Sequence, residues 1–191
     1  MRLGILVSGR GSNLEAILRA QPHGIEPVLV VSNRAGVRAL EVAAQHGIPA
    51  RVLRRADFGG DASARDAAIG QALTDAGVDL AILAGYDRLL SQSYFAAFGG
   101  RTINIHPSLL PAHGGAGMLG LAVHRAVLES GARETGATVH EVGAELDSGP
   151  VLSQVRVAVR PDDDAETLAA RVLEAEHALL VATLERLATS R

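Results

Sequence analysis

The sequence predicts one α/β domain with a mostly parallel central sheet flanked by helices, and with antiparallel strands in its C-terminal part. Short apolar runs alternate with amphipathic stretches in the first half of the chain. This strand, helix, strand, helix order is typical of a parallel sheet with right-handed crossovers. The 191 residues are 48% hydrophobic, so the chain is long enough for one full core.

Buried strands are predicted where short apolar runs are bounded by turn residues. Four such runs lie in the first part of the chain: Leu3 to Val7, Val28 to Val31, Leu80 to Ala84 and Thr102 to Ile105. Helices are predicted between them over Ser12 to Ala20, Val37 to His46 and Ala64 to Ala76. The second and third helices run into Gly47 and Gly77, and glycine is the usual C-terminal stop.

The pattern changes after Pro111. A glycine-rich segment spans Gly114 to Gly120, and a helix follows it through about Ser130. Two strand-like stretches and a long final helix complete the chain, over Thr135 to Val142, Val151 to Val159, and Ala165 to about Ala188.

Composition excludes several classes of protein. With Lys+Arg 18, Asp+Glu 21 and a net charge of −3, the chain has no electrostatic footprint for nucleic acid. It contains neither cysteine nor lysine, which excludes thiolate catalysis, disulfides, Schiff-base chemistry and a Walker A phosphate loop. Its apolar stretches fall far short of the ~20 residues that a membrane span needs. We therefore expect a cytoplasmic enzyme, a monomer or homodimer, that acts on small molecules.

The run from Asn104 to Pro111, which reads Asn-Ile-His-Pro-Ser-Leu-Leu-Pro, has the composition of an active site. Asn104 and His106 lie two residues apart on a predicted strand, so their side chains point to the same side. Pro107 and Pro111 impose a fixed loop at the end of that strand. Asp147 follows in a loop that glycine and proline punctuate, from which its carboxylate could orient or charge the imidazole.

An amide, an imidazole and a carboxylate suit transfer to or from a carbonyl group. In such a reaction negative charge develops on an oxygen and a proton has to move. Taken singly, Asn104 or His106 would be interpreted as a turn former or a hydrogen-bonded polar residue. It is the octamer together with Asp147 that predicts catalysis.

The segment from Ser8 to Leu14 follows the first strand and opens the first helix, where free N–H groups and the helix dipole favour an anion. Its hydroxyl and amide side chains suit a phosphomonoester. The dinucleotide pattern G-x-G-x-x-G fails because its third position is Leu14 and because the second strand ends without an acidic residue, in Val31-Ser32-Asn33-Arg34. A tight turn with Ser12 as helix N-cap remains the alternative.

Five motifs together resemble the folate-dependent formyltransferase family over the whole length of the chain. They are Ser8 to Leu14, Ala84 to Leu90, Asn104 to Pro111, Glu145 to Pro150 and Ala175 to His177. The Gly-Ser-Asn loop is similar to that of the phosphoribosyl branch. The resemblance implies a Rossmann-like single domain over residues 1–191, with a nucleotide-binding half over 1–100 and a catalytic and folate half over 101–191.

The resemblance also implies a reaction. A formyl group passes from 10-formyltetrahydrofolate, the co-substrate, to the amine of glycinamide ribonucleotide in de novo purine biosynthesis. No metal is needed, and the sequence offers no cluster of ligands at metal spacing.

Site residues follow from the resemblance by position. It implies that the catalytic residues are Asn104, His106 and Asp147. It implies that the phosphoribosyl group is bound by Gly11, Ser12, Asn13 and Glu176. It implies that folate is bound by Tyr86, Arg88, Leu89, Leu90 and Asn104, with the loop from Val142 to Asp147. The remaining histidines considered, His23, His46, His124 and His140, are expected to have no role.

The stretch from Ala112 to Gly120 departs from the family pattern. It looks like an insertion of about five residues, and its four glycines suggest a mobile flap or a reshaped rim of the site.

Three other functions were weighed. Methionyl-tRNA formyltransferase would need a further tRNA-binding domain and a basic surface. Formyltetrahydrofolate deformylase shares the catalytic residues but usually carries an N-terminal regulatory domain, whereas the catalytic domain here is expected to start at Met1. A non-catalytic phosphosugar-binding module would leave Asn104, His106 and Asp147 unexplained.

Overall fold

Seven strands form one sheet in the order β3-β2-β1-β4-β5-β6-β7. The computed structural model describes residues 1–143 and 145–190. The strands are β1 (Arg2–Val7), β2 (Glu26–Ser32), β3 (Ala50–Val52), β4 (Leu80–Leu83), β5 (Arg101–His106), β6 (Glu134–Glu141) and β7 (Val151–Ala158). The helices are α1 (Ser12–Ala20), α2 (Arg38–Gln45), α3 (Ala62–Asp75), α4 (Gln92–Ala97), α5 (Leu121–Glu129) and α6 (Ala165–Thr189), and a 3₁₀ helix covers Arg55–Phe58.

The predicted fold class is confirmed. Strands β1 to β5 pair in parallel, whereas β6 is antiparallel to β5 and β7 is antiparallel to β6. Every strand and helix predicted above is present. The sequence did not predict β3, the 3₁₀ helix or α4, which are short; β3 is exposed along its whole length.

Two hydrophobic cores lie on opposite faces of the sheet, because successive residues of a strand point to opposite sides. Leu3, Ile5 and Val7 of β1 belong to a core that includes residues of α1, α2 and α6. Leu6 belongs to the other core, which includes residues of α3 and α4. The sheet is thus covered by helices on both faces. Among the described helices, none is both long and apolar enough to cross a membrane.

The order in which the chain adds strands to the sheet reverses at β1. From β1 the chain builds outward through β2 to β3, and it then returns to the other side of β1 to place β4 and β5. Ligands of open α/β sheets bind at such a switch point, in the crevice outside the carboxyl ends of the strands. The loops that follow β1, β4 and β5 all open into this crevice.

Asp87 fixes the loop after β4 to the loops after β1 and β2. Its backbone N–H donates to Ser8 Oγ at 3.0 Å, and its carboxylate accepts from Asn33 Nδ2 at 2.8 Å and from Arg34. Burial disfavours the charged carboxyl, but hydrogen bonds from Asn33 and Ser8 and the charges of Arg34 and Arg88 outweigh it and lower the pKa of Asp87. The loop is therefore held by a carboxylate at neutral pH.

A buried ion pair on α3 holds the start of α4. Asp66 Oδ1 accepts from Arg65 Nε at 2.8 Å, and Asp66 Oδ2 accepts from the N–H of Ser91, also at 2.8 Å. The side chains of Arg65 and Asp66 are only 4% and 1% exposed. Removing one partner would leave an uncompensated buried charge.

We expect Asp66→Ala to lower the free energy of unfolding by about 3–5 kcal/mol, because Arg65 would be left buried and unpaired. Asp75→Ala is the matched control, since Asp75 is exposed on the same helix and accepts from Gln71 Nε2. That change should alter the free energy by at most about 0.5 kcal/mol. Urea unfolding of both variants measures the difference, and equal midpoints would contradict the role given to the pair.

Candidate active site

A cavity of about 410 Å³ opens in the crevice at the switch point. Its volume is within the range of small-molecule sites. Among the residues that line it are nine of the predicted site residues: Asn13, Tyr86, Arg88, Leu89, Leu90, Asn104, His106, Asp147 and Glu176. The predicted residues Gly11 and Ser12 are not part of this lining and lie in the turn that precedes Asn13. Both halves of the chain therefore contribute to one cavity.

Asn104 and His106 stand on β5 and both line the cavity, as their spacing predicts. His106 is buried, and its Nε2 donates to the carbonyl oxygen of His113 at 2.9 Å. Its Nδ1 lies 3.7 Å from Asp147 Oδ2. Since a carbonyl only accepts, Nε2 carries a proton, and a second proton on Nδ1 would face the carboxylate. The carboxylate of Asp147 is thus placed to orient the imidazole ring.

Asp147 holds its carboxylate against two histidines and one backbone N–H. Gly115 N–H donates to Oδ2 at 2.9 Å, and His140 Nε2 lies 3.5 Å from Oδ1. Burial would raise the pKa of Asp147, but hydrogen bonds from His140 and Gly115 and the charges of both histidines outweigh it and lower the pKa. The backbone of Asp147 is left-handed, with φ 52°, a conformation that aspartate tolerates better than most residues.

His140 was expected to have no role, and the structure instead places it between Asn104 and Asp147. It lies on β6 directly opposite Asn104 in the antiparallel register and is 2% exposed. Its Nδ1 donates to the carbonyl oxygen of Glu141 at 2.9 Å, and its Nε2 lies 3.1 Å from Asn104 Nδ2 and 3.5 Å from Asp147 Oδ1. His140 therefore lies in contact with both the amide and the carboxylate that the sequence singled out.

The other three histidines expected to have no role do not line the first cavity. His46 bonds to the carbonyl oxygen of Val42 at the end of α2, and His23 is exposed. His124 is buried on α5, and neither ring nitrogen forms a hydrogen bond with the described residues. Burial and the charge of His106 lower the pKa of His124.

A second cavity, of about 640 Å³, adjoins the first between α5 and α6. Arg10, Pro107, Gly120 and Glu176 line both cavities, and His124 lines only the second. Two ligands can thus meet beside Pro107, immediately after His106.

Glu176 is a buried carboxyl at the junction of the two cavities, with 7% of the residue exposed. Burial raises the pKa of Glu176 to about 8, although a hydrogen bond with Asn13 opposes the shift. The carboxyl is thus mostly protonated at neutral pH. Asn13 Oδ1 is also buried and has no hydrogen-bond partner among the described residues. The pair offers both a donor and an acceptor to a ligand.

The raised pKa of Glu176 predicts a pH dependence of stability. Between pH 4.5 and about 8 the unfolded carboxyl is ionised while the folded one keeps its proton. The unfolded state binds fewer protons there, so Glu176 lowers the free energy of unfolding by about 1.4 kcal/mol per pH unit as pH rises. Glu176→Gln removes this pH dependence, because glutamine does not titrate.

Urea unfolding of wild type and Glu176→Gln at about pH 5 and about pH 8 measures it. The variant should become progressively more stable relative to wild type as pH rises. Glu174→Gln, exposed on the same helix, controls for the loss of one carboxyl group. Parallel curves for wild type and Glu176→Gln would contradict the assignment of a neutral buried carboxyl.

Gly11, rather than Ser12, is the N-cap of α1, and no side chain in the described part of the chain caps the helix. This differs from the Ser12 cap considered above. Gly11 has φ 78°, and a Cβ at this position would lie 2.8 Å from Cα of Ala39. Glycine is required because α2 approaches the turn so closely. The N–H groups of the first turn are left to a ligand or solvent.

The glycine-rich segment from Gly114 to Gly120 forms part of the wall of the first cavity. Gly115 and the neighbouring His113 supply the backbone contacts to Asp147 and His106 described above. Gly115 has φ 92° and Gly117 has φ 84°, conformations that favour glycine. A reshaped rim fits this placement, and the mobility of the segment stays a prediction.

The predicted folate segment after β4 supplies an apolar wall. Tyr86 and Leu90 are buried in the second core, whereas Leu89 and Leu146 are exposed where they line the cavity. Burial raises the pKa of Tyr86 to about 12, and its hydroxyl has no partner among the described residues. The predicted loop from Val142 to Asp147 includes Ala144, which lies outside the described residues.

Within 1–143 and 145–190, no group of three or more His, Cys, Asp or Glu side chains is placed to hold a metal ion.

The doubly wound sheet, with an amide, an imidazole and a carboxylate at its switch point, defines an α/β protein equipped for chemistry at a carbonyl group. Comparison with protein families matches residues 1–184 to the formyl transferase family. The chain belongs to this family, and the resemblance drawn from the sequence motifs is confirmed.

Individual relatives agree with the family. The chain is 42% identical over 192 residues to the trifunctional purine biosynthetic protein adenosine-3 of Gallus gallus, covering 99% of this chain and 18% of that protein. It is 42% identical to the chloroplastic phosphoribosylglycinamide formyltransferase of Arabidopsis thaliana, covering 94% of this chain and 63% of that protein. It thus spans less than two thirds of either relative.

Among solved structures, glycinamide ribonucleotide transformylase 1 from Symbiobacterium toebii is similar at a TM-score of 0.92 and 39% identity. The match covers 100% of this chain and 89% of that one.

Proposed function

We propose that this protein transfers the formyl group of 10-formyltetrahydrofolate to the amine of N1-(5-phospho-D-ribosyl)glycinamide, in de novo purine biosynthesis. The observation that carries the proposal is the contact of His106 with Asp147, beside Asn104, where two cavities adjoin. A two-substrate reaction needs two sites that share the reacting groups. The names of the relatives in Arabidopsis and Symbiobacterium support the same reaction.

Each substrate is assigned to one cavity. The first cavity takes the pteridine, because its wall combines the apolar Leu89 and Leu90 with the polar loop that carries Asp147. The phosphoribosyl group takes the second cavity and its junction with the first, with Glu176 at the sugar and with Gly11, Ser12 and Asn13 at the phosphate, on the side of the first cavity that Asn13 lines. The division into a nucleotide-binding half over 1–100 and a catalytic and folate half over 101–191 stays a prediction, because each half contributes to both cavities.

The catalytic trio stabilises charge at the formyl group. When the amine nitrogen forms its bond to the formyl carbon, the carbonyl electron pair moves onto oxygen. His106 donates to that oxyanion once its Nε2 N–H exchanges the carbonyl oxygen of His113 for the substrate, and the Asn104 amide donates through the N–H that does not face His140; preorganised donors lower the barrier most at such a position. Asp147 faces Nδ1 of His106, where its negative charge balances positive charge on the ring during the reaction.

The proton balance assigns a second task to Asp147. The attacking amine becomes positively charged and has to lose a proton, whereas N10 of the folate has to gain one before its bond to carbon breaks. Asp147 accepts the first proton and passes it on to N10, through water. The products are a formamide and tetrahydrofolate, so atoms and electrons balance, and no metal is needed.

The same proposal covers the partners, the compartment and the oligomeric state of the protein. The partners are small molecules, without nucleic acid or membrane, and the protein works in the cytoplasm as a monomer or homodimer.

The alternative function is hydrolysis of 10-formyltetrahydrofolate, which needs the first cavity only. The second cavity favours an acceptor other than water, because it joins the first beside Pro107 and Glu176. A phosphosugar-binding module would use the second cavity alone and leave the His106 and Asp147 contact without a purpose.

Absorbance of released tetrahydrofolate separates these functions. The assay is run with the phosphorylated acceptor, with the non-phosphorylated riboside, and with no acceptor. Release that depends on an acceptor is the expected result. Equal release without acceptor would indicate a deformylase, and no release under any condition would contradict formyl transfer.

A further inference from the structure

Arg10 is a cation without a partner among the described residues, and it lies at the place where the two cavities join. It lies in the loop between β1 and α1, is exposed, and lines both cavities. Its guanidinium makes no hydrogen bond or ion pair with the described residues, whereas nearby Arg38 pairs with Glu15 at 2.5 Å. In a chain without lysine, arginine is the only side chain that is always positively charged.

The start of α1 next to Arg10 has two features of an anion site. The helix has nine residues and no side-chain cap, so its first N–H groups point outward. Asn13, which is 7% exposed, lines the first cavity, and its Oδ1 has no partner among the described residues. Turning the amide over exchanges its oxygen and nitrogen. The protonated Glu176 would then donate to Oδ1 and leave Nδ2 as a donor for an anion.

Charge in the second cavity also favours an anion near Arg10. The acidic side chains that line this cavity are Glu166 and Glu176, and Glu166 is exposed at its edge. Glu176 is mostly uncharged at neutral pH, so it does not repel an anion beside Asn13. Among the described lining residues, Arg10 is the only guanidinium of the second cavity.

We propose that Arg10 determines the specificity for a phosphorylated acceptor by pairing its guanidinium with the phosphate monoester held at the start of α1. The proposal rests on the proposed function for the identity of the acceptor. A guanidinium matches the geometry of a phosphate with two parallel hydrogen bonds, and Lys offers only a point charge there. Arg10 touches the phosphate, remote from the reacting carbon, so it acts on acceptor binding and not on the chemical step.

The test crosses two acceptors with three variants. Arg10→Ala should raise KM for the phosphorylated acceptor about 10- to 100-fold, which is the value of charged hydrogen bonds lost at one group. It should leave kcat, and kcat/KM for the non-phosphorylated riboside, within about twofold of wild type. Arg10→Lys should recover part of the loss. Arg51→Ala is the matched control, because Arg51 is an exposed arginine that lines neither cavity.

Binding of ribose 5-phosphate, measured by calorimetry on wild type and Arg10→Ala, tests the contact even if the protein transfers no formyl group. Binding at least about tenfold weaker in the variant supports the proposal. Equal binding overturns it, as does a loss of kcat/KM that is the same for both acceptors, since that would indicate a structural role. Failure of wild type to use either acceptor, with intact ribose 5-phosphate binding, would overturn only the proposed reaction.

Discussion

Replacing Asp147 by asparagine is expected to lower kcat about 10²- to 10⁴-fold, the usual contribution of a positioned proton-transfer group. Asparagine keeps an oxygen that accepts from the N–H of Gly115 and tolerates the left-handed backbone at this position. It neither carries a negative charge for His106 nor accepts a proton. The loss should therefore appear in the chemical step, while the unfolding transition stays cooperative.

Steady-state and single-turnover rates of formyl transfer measure this effect. Glu134→Gln is the control, since Glu134 lies at the far end of the strand that carries His140 and forms an exposed ion pair with Arg156. The control should stay within about twofold of wild type. An Asp147→Asn protein that retains more than about a tenth of wild-type kcat would exclude Asp147 from the mechanism.

Replacing His106 by alanine is the second large expected effect. It removes a donor to the developing oxyanion, which costs about 2.7–4 kcal/mol of transition-state stabilisation, or about 10²- to 10³-fold in kcat. KM for either substrate should change less than kcat, because the donor acts mainly on charge that forms in the transition state. A large rise in KM with kcat unchanged would make His106 a binding residue instead.

His106 and Asp147 act as one unit in the proposed mechanism, so the double variant tests it more sharply than either single variant. In the proposed mechanism Asp147 works largely through His106, so the double variant His106→Ala with Asp147→Asn should lose about as much kcat as the worse of the two single variants. Independent roles would make the losses multiply. A full product of the two single losses would contradict the coupling that the 3.7 Å contact supports.

The fold was predictable where the sequence alone determines local structure. The apolar runs of β1, β2, β4 and β5 and the glycines after α2 and α3 define their elements without tertiary information. The sequence does not predict β3 or α4 in this way. β3 is short and exposed. The start of α4 is fixed partly by Asp66 of α3, which accepts from the N–H of Ser91 just before the helix. A hydrogen bond between distant segments leaves no local pattern.

The motifs predicted part of the site, but the contacts that depend on how β5 pairs with β6 could not be predicted from them. Asn104 and His106 share a side because they are two residues apart, and this needs only the geometry of a strand. His140 faces Asn104 because of the register between β5 and β6, which the intervening segment from Pro107 to Arg133 does not reveal. The second cavity likewise depends on how α5 packs against α6. The sequence therefore did not predict that His124 and Arg10 line this cavity.

The most direct test of the account follows the formyl group itself. The protein is given 10-formyltetrahydrofolate labelled with ¹³C in the formyl group together with phosphoribosylglycinamide, and NMR locates the label in wild type and in Asp147→Asn. The account predicts label in the formamide of the acceptor for wild type, and almost none for the variant in the same time. Label in free formate, or equal transfer by both proteins, would contradict it.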